Sequence, residues 1–423
     1  MRVHIHDFSG HPFQAQLSRN LASRGHEVLH QYSSQYVTGH GRLSVTPEDP
    51  ATLRIQSLTA TVPMVKYHPV MRTRFEMAYA GVWARSLEQE DFDVVVACNV
   101  PLFVLMRMRR FFAKRGQPWV LWHQDVYSMG VGAEATRRLP KPAAAAVRRQ
   151  VERIERAQVA SAASVVAIGA PFLDQYVRWG VSLDHVHVIP NWAPLDELVP
   201  GDRDNEWARR QALPDGPVRL MYAGTLGRKH NPLLLLELLD SVRAKGVDAM
   251  LIVVSEGVGA DDLAEAARGR SDVRILGYQP AEVLSSVLAS ADVMIALLEP
   301  DAAQFSVPSK VLSYLSAGRP IIALVPDGNP SASDVRAAGG YVADPTLAGA
   351  RDAASWLVAT AEAPAGLVTI GTQARNLATD RFNIDRIGSE FELVLTEAAR
   401  QNHERGRAPL IAVAPGGRGG MYS

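Results

Sequence analysis

The chain has 423 residues, and its 44 Lys and Arg balance 44 Asp and Glu, which gives a formal net charge of +0 at pH 7. This length favours two domains that each bury a core, and the apolar fraction of 47% is typical of a globular protein. Zero net charge argues against a general nucleic-acid-binding protein, so we expect no nucleic-acid partner. The single cysteine, Cys98, excludes an intramolecular disulfide and favours a reducing compartment.

The start of the chain lacks the pattern of an export signal. Residues Met1 to His6 are followed by polar residues and not by an apolar h-region, so we expect no signal peptide. No apolar run approaches the roughly 20 residues that a membrane span needs. The sequence therefore predicts a cytoplasmic protein.

Apolar runs alternate with amphipathic segments over residues 1–195, which predicts a Rossmann-like α/β domain. The predicted strands are residues 2–7, 27–30, 92–97, 119–122 and 164–168, and the predicted helices end near 24 or span 64–88, 102–114, 142–160 and 171–180. Gly10 follows the first strand, where the backbone can approach a ligand closely, although an ordinary turn is the alternative. The chain has no G-x-G-x-x-G pattern at this point, so we do not expect a dinucleotide site.

The stretch from Met64 to Arg149 is basic, with 14 Lys or Arg against 7 Asp or Glu. Within it, a predicted helix interleaves apolar and basic side chains, namely Phe103, Met106, Arg107, Arg109, Arg110, Phe111, Phe112 and Lys114. We call this set the basic aromatic face. It suits an anionic membrane surface or a lipid-linked phosphate. The alternative is a group of core aromatics beside a solvated basic surface.

Two polar residues follow the predicted strand 119–122. His123 and Asp125 come at its carboxyl end, which is where a parallel sheet presents functional groups. An imidazole and a carboxylate at this spacing can orient an acceptor hydroxyl or handle its proton. The alternative for Asp125 is a cap on the next segment.

Residues 196–217 are rich in Pro, Asp and Gly without a sustained period, and we predict them to be the interdomain linker. Alternating patterns then predict a second Rossmann-like domain over 218–382. Its predicted strands are 218–223, 249–254, 273–276, 291–298 and 320–325, and its predicted helices are 231–243, 261–268, 281–289 and 308–318. A last helix is predicted at 383–400, and residues 404–423 are predicted to be a disordered tail.

Two loops of the second domain are suited to anions. The turn from Gly224 to His230 has two glycines around a strand-to-helix junction and the adjacent cations Arg228 and Lys229, which together suit a diphosphate. The segment from Ser306 to Lys310 opens a predicted helix whose unpaired N–H groups can hold a phosphate. A structural helix with a serine cap is the alternative for the second loop.

At this point the chain resembles the GT-B glycosyltransferases, and more closely those of family 4 in the branch of colanic-acid and other exopolysaccharide enzymes. The resemblance covers about residues 1–400. Its strongest motifs are Tyr222-Ala223-Gly224-Thr225-Leu226-Gly227-Arg228-Lys229, Pro190-Asn191-Trp192, and Pro308-Ser309-Lys310 through Ala317-Gly318-Arg319-Pro320. The resemblance implies two Rossmann-like domains that face each other across a cleft, with the last helix crossing back to the first domain.

The resemblance also implies an activity. It implies transfer of a sugar from a UDP- or GDP-sugar to a glycan or lipid-linked acceptor, with retention of anomeric configuration and with no metal ion or cofactor. The pathway would be the synthesis of a cell-surface polysaccharide or glycolipid. Independently of the resemblance, the basic aromatic face predicts a peripheral location at the inner face of the cytoplasmic membrane.

Site roles follow from the same resemblance. Lys229 would hold the donor diphosphate with help from Arg228, backbone N–H groups of Ser309 and Lys310 would complete the phosphate site, and Tyr278 and Gln279 would contact the base. The remaining implied donor-site residues are Gly10, Gly224, Thr225, Ser306, Pro308 and Ser313.

The chain departs from the family pattern in one respect. Many members carry two glutamates eight positions apart, and the matching positions here hold Phe305 and Ser313. Glu299 or Asp301 is a candidate to replace them. Two other functions stay open. A sugar-nucleotide 2-epimerase shares this architecture, although the catalytic acids expected at its cleft are not found in this sequence, and the missing acidic pair suggests a non-catalytic sugar-nucleotide-binding partner of another transferase.

Overall fold

The computed structural model describes residues 1–36, 41–65, 68–227, 230–299, 309–363 and 365–407, with the backbone alone for Pro69 and for 401–407. Two parallel sheets organise it, one of seven strands and one of six. Both are covered by helices, which is the arrangement that an alternation of strands and helices produces.

The first sheet has the strand order β3-β2-β1-β4-β5-β6-β7. Its strands are β1 (Arg2–Asp7), β2 (Glu27–Ser33), β3 (Leu53–Leu58), β4 (Val94–Cys98), β5 (Trp119–His123), β6 (Ser164–Ala167) and β7 (Val186–Val188). The central strands β4, β5 and β6 are buried along their whole length, because helices cover both faces.

Six helices cover the first sheet, and three of them begin on proline, which fits a first helical turn because its N–H would be unpaired there. They are α1 (Pro12–Ser23), α2 (Pro69–Leu87), α3 (Leu102–Arg115), α4 (Tyr127–Arg138), α5 (Lys141–Val159) and α6 (Pro171–Arg178). Gly116 ends α3 in a left-handed conformation with φ 60°.

The second sheet has the order β10-β9-β8-β11-β12-β13. Its strands are β8 (Val218–Ala223), β9 (Ala249–Val254), β10 (Val273–Leu276), β11 (Val293–Leu297), β12 (Ile321–Leu324) and β13 (Tyr341–Ala343). The helices of this half are α7 (Glu206–Arg210), α8 (Leu233–Ala244), α9 (Val258–Ala266), α10 (Leu284–Ala289), α11 (Lys310–Ser316), α12 (Pro330–Ala337), α13 (Leu347–Glu362) and α14 (Gly366–Arg381), with a 3₁₀ turn at Ala281–Val283.

The last helix, α15 (Ile384–Arg407), returns to the first domain, as the resemblance implies. The ring of Phe391 packs edge-on against Trp122 at the end of β5, with centroids 4.7 Å apart. At the start of α15, Asp385 accepts a hydrogen bond of 2.8 Å from the Asn20 amide of α1. Residues 404–407 are therefore helical and the prediction of a disordered tail is wrong for them, while 408–423 lie outside the described residues.

The segment predicted as a linker is packed into the second domain. It contains α7, whose Trp207 is 6% exposed and belongs to the second domain's core. The fully buried Arg219 of β8 ties it down by donating to the carbonyl of Arg203 at 2.7 Å and to the Asp204 carboxylate at 2.7 Å. Prolines and aspartates signal irregular backbone, but they do not show whether that backbone is buried.

Several elements were not predicted, namely β3, α4, β7, α7, α12, β13, α13 and α14. The edge strand β3 explains one of these errors, since only Leu53 and Leu58 at its ends are buried and no apolar run marks it. Among the described residues, no single helix is long and apolar enough to cross a membrane.

Three histidines lie in the core of the first domain. His4 and His6 on β1 and His30 on β2 are each 0% exposed, and the His6 ring stacks on Trp83 with centroids 3.8 Å apart. Burial lowers the pKa of His4 and of His30 to about 3 and lowers the pKa of His6 well below its usual value of 6.5. The folded protein therefore holds all three rings neutral at pH values where the unfolded chain binds protons.

We expect this cluster to make the protein acid-sensitive. The stabilisation is present above about pH 6.5 and is lost as the pH falls toward the folded pKa values, because only the unfolded state takes up protons there. One such histidine costs about 1.4 kcal/mol of unfolding free energy between pH 7.5 and 5.5. Urea unfolding at the two pH values should show His6→Phe losing about that much less stability than the unchanged protein.

A matched control is His187→Gln on the edge strand β7, where the ring is half-buried. Burial raises the pKa of Asp7 to about 7, which opposes the histidines, so the comparison between variants is more informative than the total slope. Equal pH dependence of the unchanged protein and His6→Phe would contradict the assignment.

Candidate donor and acceptor site

The strand order of the second sheet changes direction at β8. The strand after β8 lies on one side of it and β11 lies on the other, so the loops that leave β8 and β11 diverge. Open parallel sheets bind ligands at the carboxyl ends of the strands beside such a point. The predicted donor residues Gly224, Thr225, Ser309 and Lys310 belong to these two loops.

The turn after β8 contains a glycine in an unusual backbone conformation. Gly224 has φ 139°, which L residues rarely adopt, and its N–H donates to the carbonyl of Val254 at 3.0 Å. A Cβ atom at this position would lie 3.3 Å from Cε of Lys310. The backbone conformation therefore favours glycine, and a side chain at this position would have to displace the end of the Lys310 side chain.

A chain of polar contacts connects the loops at this edge. The ammonium of Lys310 donates to the hydroxyl of Tyr222, which donates to the carbonyl of Thr225 at 2.8 Å. The Thr225 hydroxyl is hydrogen-bonded to the hydroxyl of Tyr278, which lies after β10. The structure thus brings four predicted or neighbouring site residues together at the carboxyl ends of β8 and β10.

Tyr278 and Gln279 differ in how they face this edge. Tyr278 is 49% exposed, so its ring offers an open aromatic surface. The Gln279 side chain is instead occupied within the protein, since its oxygen accepts from the indole N–H of Trp207 at 3.0 Å and its amide donates to the carbonyl of Gly277 at 3.0 Å. Gln279 therefore shapes the loop, and Tyr278 is better placed to contact the nucleobase of a donor.

Sequence reasoning did not select Glu256. This exposed residue follows β9, and its Oε1 accepts from the backbone N–H of Tyr278 at 3.3 Å. It is a carboxylate beside the donor loops in a chain that lacks the family's glutamate pair. Its position directly after a buried strand is the signal that could have found it.

The helix after β11 is shorter than predicted. We predicted a start near Pro308 and an end near Gly318, whereas α11 runs from Lys310 to Ser316. Ser309 precedes it in a helical conformation without a side-chain capping bond, and Ser313 is half-buried within it. The predicted site residues Arg228, Lys229, Ser306 and Pro308, together with Asp301 and Phe305, lie outside the described residues.

The His123 side chain is engaged at both ring nitrogens. Nδ1 is 2.7 Å from the hydroxyl of Tyr176, and Nε2 is 3.3 Å from the carboxylate of Glu155. Glu155 also accepts from the backbone N–H groups of Tyr127 and Ser128 at 2.7 and 2.8 Å. The ring is only 4% exposed, so this geometry does not support the predicted contact with an acceptor and indicates that His123 positions the start of α4.

Asp125 lies two residues further along and is exposed at the carboxyl end of β5. It is the member of the predicted pair that faces solvent. The structure therefore separates the two residues, with one buried in a structural network and the other on the surface of the first domain's strand ends.

The Gly10 loop is built around a buried carboxylate that sequence reasoning did not select. Asp7 at the end of β1 accepts from the N–H groups of Ser9 at 3.2 Å and His11 at 2.5 Å, and from the Asn99 amide at 3.0 Å. Gly10 itself has φ 70°. These bonds fix the loop at the first domain's strand ends, where the family site would place it.

The Pro190-Asn191-Trp192 motif is held by the first domain at the edge of a cavity between the two domains. Asn191 and Gln124 exchange two amide hydrogen bonds of 3.0 Å each, and the Trp192 indole donates to Gln16 at 2.7 Å. A cavity of about 790 Å³ lies beside this motif, lined by the start of α6 in one domain and by Ser309 and the start of α12 in the other. The two domains therefore face each other across a cleft, as predicted.

The basic aromatic face is only partly exposed. Phe112 is 1% exposed and belongs to the core, while Phe103 and Phe111 are half-buried. Arg107 and Arg110 are exposed on α3, but the Arg109 guanidinium donates to the carbonyl of Ala157 at 2.9 Å.

The described residues contain no group of three or more His, Cys, Asp or Glu side chains placed to hold a metal ion.

Comparison with known proteins matches each half of the chain to a family. Residues 11–192 match the glycosyl transferase 4-like domain, and residues 217–360 match the glycosyl transferases group 1 domain. The chain is also 23% identical over 326 residues to WcaI, an Escherichia coli K12 protein named as a colanic acid biosynthesis glycosyl transferase. The aligned region covers 70% of this chain and 75% of that protein.

Solved structures share the fold at low identity. Sucrose-phosphate synthase from Thermosynechococcus elongatus has a TM-score of 0.69 at 16% identity, over 96% of this chain and 100% of that one. Anabaena HepE in complex with UDP has a TM-score of 0.67 at 14% identity, over 94% and 100%. The two matched domains and the shared two-sheet architecture together show that this chain belongs to the family 4 GT-B glycosyltransferases.

Proposed function

We propose that this glycosyltransferase moves a sugar from a nucleotide-sugar donor, most simply a UDP-sugar, to a glycan or lipid-linked acceptor in the synthesis of a cell-surface polysaccharide. The observation that carries the proposal is the cluster of Gly224, Thr225, Tyr278 and Lys310 at the carboxyl ends of β8 and β10. The names of similar proteins support it, since WcaI is named for colanic acid biosynthesis and HepE structures hold UDP and UDP-glucose.

The charge of the leaving group sets the chemical demand on the site. Cleavage of the bond between the sugar C1 and the diphosphate oxygen leaves negative charge on the diphosphate. Fixed cations at the site stabilise that charge without reorganising. In this proposal Lys229 supplies one cation with help from Arg228, so the reaction proceeds without a divalent metal.

The acceptor side is proposed to lie on the first domain. The exposed Asp125 lies at its strand ends, after β5. Asp125 would orient the attacking hydroxyl, and His123 would act indirectly by holding the start of α4. Attack from the same face as the departing diphosphate gives retention of configuration.

Donor turnover tests the proposal against its alternatives. Purified protein is screened with UDP-, GDP- and ADP-sugars, with and without a lipid extract or glycan as acceptor, and released nucleoside diphosphate is measured. We expect release that depends on acceptor and that is the same in EDTA. Conversion of the donor to its 2-epimer without acceptor would indicate the epimerase, donor binding without turnover would indicate the non-catalytic partner, and loss in EDTA restored by magnesium would refute metal independence.

Lys229→Ala is expected to reduce kcat by about 30- to 1,000-fold, the effect of losing one preorganised electrostatic donor of about 2 to 4 kcal/mol. Steady-state kinetics with the preferred donor measures it. Lys245→Ala is the matched control, because this exposed lysine lies at the far end of α8. Unchanged turnover in Lys229→Ala would overturn the role given to this residue.

The basic aromatic face is proposed to bring the enzyme to the inner face of the cytoplasmic membrane. Each basic residue near an anionic surface contributes about 1 kcal/mol, and salt screens the attraction. Flotation with anionic vesicles should therefore exceed flotation with neutral vesicles and fall at high salt. A variant with Arg107, Arg110 and Lys114 changed to Ala should float less well.

Arg109 is left in place in this variant because it is half-buried and its guanidinium donates to the backbone of α5 at 2.9 Å, whereas the exposed Arg107 makes a longer bond of 3.3 Å to the carbonyl of Met77. The control changes three exposed basic residues of the second domain, Arg210, Lys245 and Arg268, to Ala. If the two variants float equally, or if lipid charge has no effect, these residues form a solvated surface and the acceptor reaches the enzyme in another way.

A further inference from the structure

The Lys310 side chain does not point away into solvent from the start of α11. Its ammonium donates to the Tyr222 hydroxyl and lies 4.1 Å from the centroid of the Tyr222 ring. Its Cε and Nζ lie 3.3 and 3.4 Å from the point where Gly224 would carry a Cβ atom. The Lys310 side chain thus crosses the turn at Gly224, where the backbone carries no side chain.

The charge of this ammonium is not compensated within the described part of the chain. No carboxylate there lies within ion-pair distance of Nζ, and the contacts that it makes are a neutral hydroxyl and an aromatic ring. Taking a cation out of water without an opposite charge is costly, and burial lowers the pKa of Lys310 to about 7. An anion bound at this point would relieve that cost.

A purely structural role explains the lysine less well. Tyr314 already fixes α11 to the end of β8, since its hydroxyl donates to the Ala223 carbonyl at 2.8 Å and accepts from the Ala223 N–H at 3.1 Å. An uncharged side chain of similar length could fill the space over Gly224. The charge therefore calls for a function of its own.

We propose that the ε-ammonium of Lys310 binds the diphosphate of the nucleotide-sugar donor, as a side-chain cation in addition to those on the turn after β8. This differs from the backbone role that the family resemblance implies for the residue. The inference rests on the proposed function, because it requires a donor that carries a diphosphate. In this arrangement the side chain at the start of α11 contributes a positive charge, and the turn after β8 contributes a glycine without a side chain.

The same geometry predicts a pH effect on donor binding. A bound diphosphate favours the protonated lysine, so donor affinity should fall as the pH rises from 6.5 to 8.5 and the free enzyme loses this proton. The titratable groups around Nζ on the described elements are Tyr222, Tyr278 and Tyr314. Burial raises the pKa of Tyr222 and of Tyr314, so both hydroxyls stay protonated in this range.

Calorimetric titration separates the diphosphate contribution from the base. UDP-glucose and GDP-mannose are titrated alongside uridine and guanosine into the unchanged protein, Lys310→Met, Lys310→Arg and the control Lys245→Met. We expect Lys310→Met to bind the accepted nucleotide sugar at least tenfold more weakly with nucleoside affinity unchanged, Lys310→Arg to retain more affinity, and Lys245→Met to match the unchanged protein. Retained nucleoside binding also reports that the variant is folded.

The outcomes distinguish this inference from the function on which it rests. If the unchanged protein binds none of the UDP-, GDP- and ADP-sugars of the donor screen, the proposed donor class is wrong and this role falls with it. If the unchanged protein binds one of them and Lys310→Met binds it equally well, the inference alone is overturned. Equal weakening of nucleoside and nucleotide sugar in Lys310→Met and Lys310→Arg would also overturn it, because the lysine would then act only on the shape of the site.

Discussion

The candidate site depends on how α11 is held against the end of β8. The Tyr314 hydroxyl pairs with both backbone groups of Ala223, so the helix after one strand is fixed to the last residue of its neighbour. This is possible because β8 and β11 are adjacent although some seventy residues of chain separate them. The pairing sets where Lys310 enters the cluster, and a side chain at Gly224 would meet the end of the Lys310 side chain.

The two domains are joined by more than a flexible connection. Residues 190–217 run from the amide pair of Gln124 and Asn191 into the core of the second domain, and α15 returns to pack on the first. The Arg375 guanidinium of α14 donates to the carbonyls of Leu195, Leu198 and Ser316, which joins the first crossing to α11. These bonds fix the first crossing and α11 to the same helix of the second domain.

In the first domain, buried polar groups hold loops in position. Glu155 accepts from the first N–H groups of α4 and contacts His123, and Asp7 accepts from the N–H groups of the Gly10 loop. Both carboxylates lie in the protein interior, where unpaired backbone donors would be costly. The loop after β1 and the start of α4 are thus each positioned by a buried carboxylate.

The sequence by itself determined the class of fold and predicted where the candidate donor loops lie. Parallel strands buried on both faces leave apolar runs such as Val94–Cys98 and Ala249–Val254, and the carboxyl ends of such runs are where ligands bind. The edge strand β3 and the buried segment around Trp207 were decided by packing, because their patterns are polar or irregular. Only the tertiary structure showed that His123 is engaged at both nitrogens and that Lys310 crosses Gly224, since Tyr176, Glu155 and Tyr222 are distant in the chain and side-chain direction depends on such neighbours.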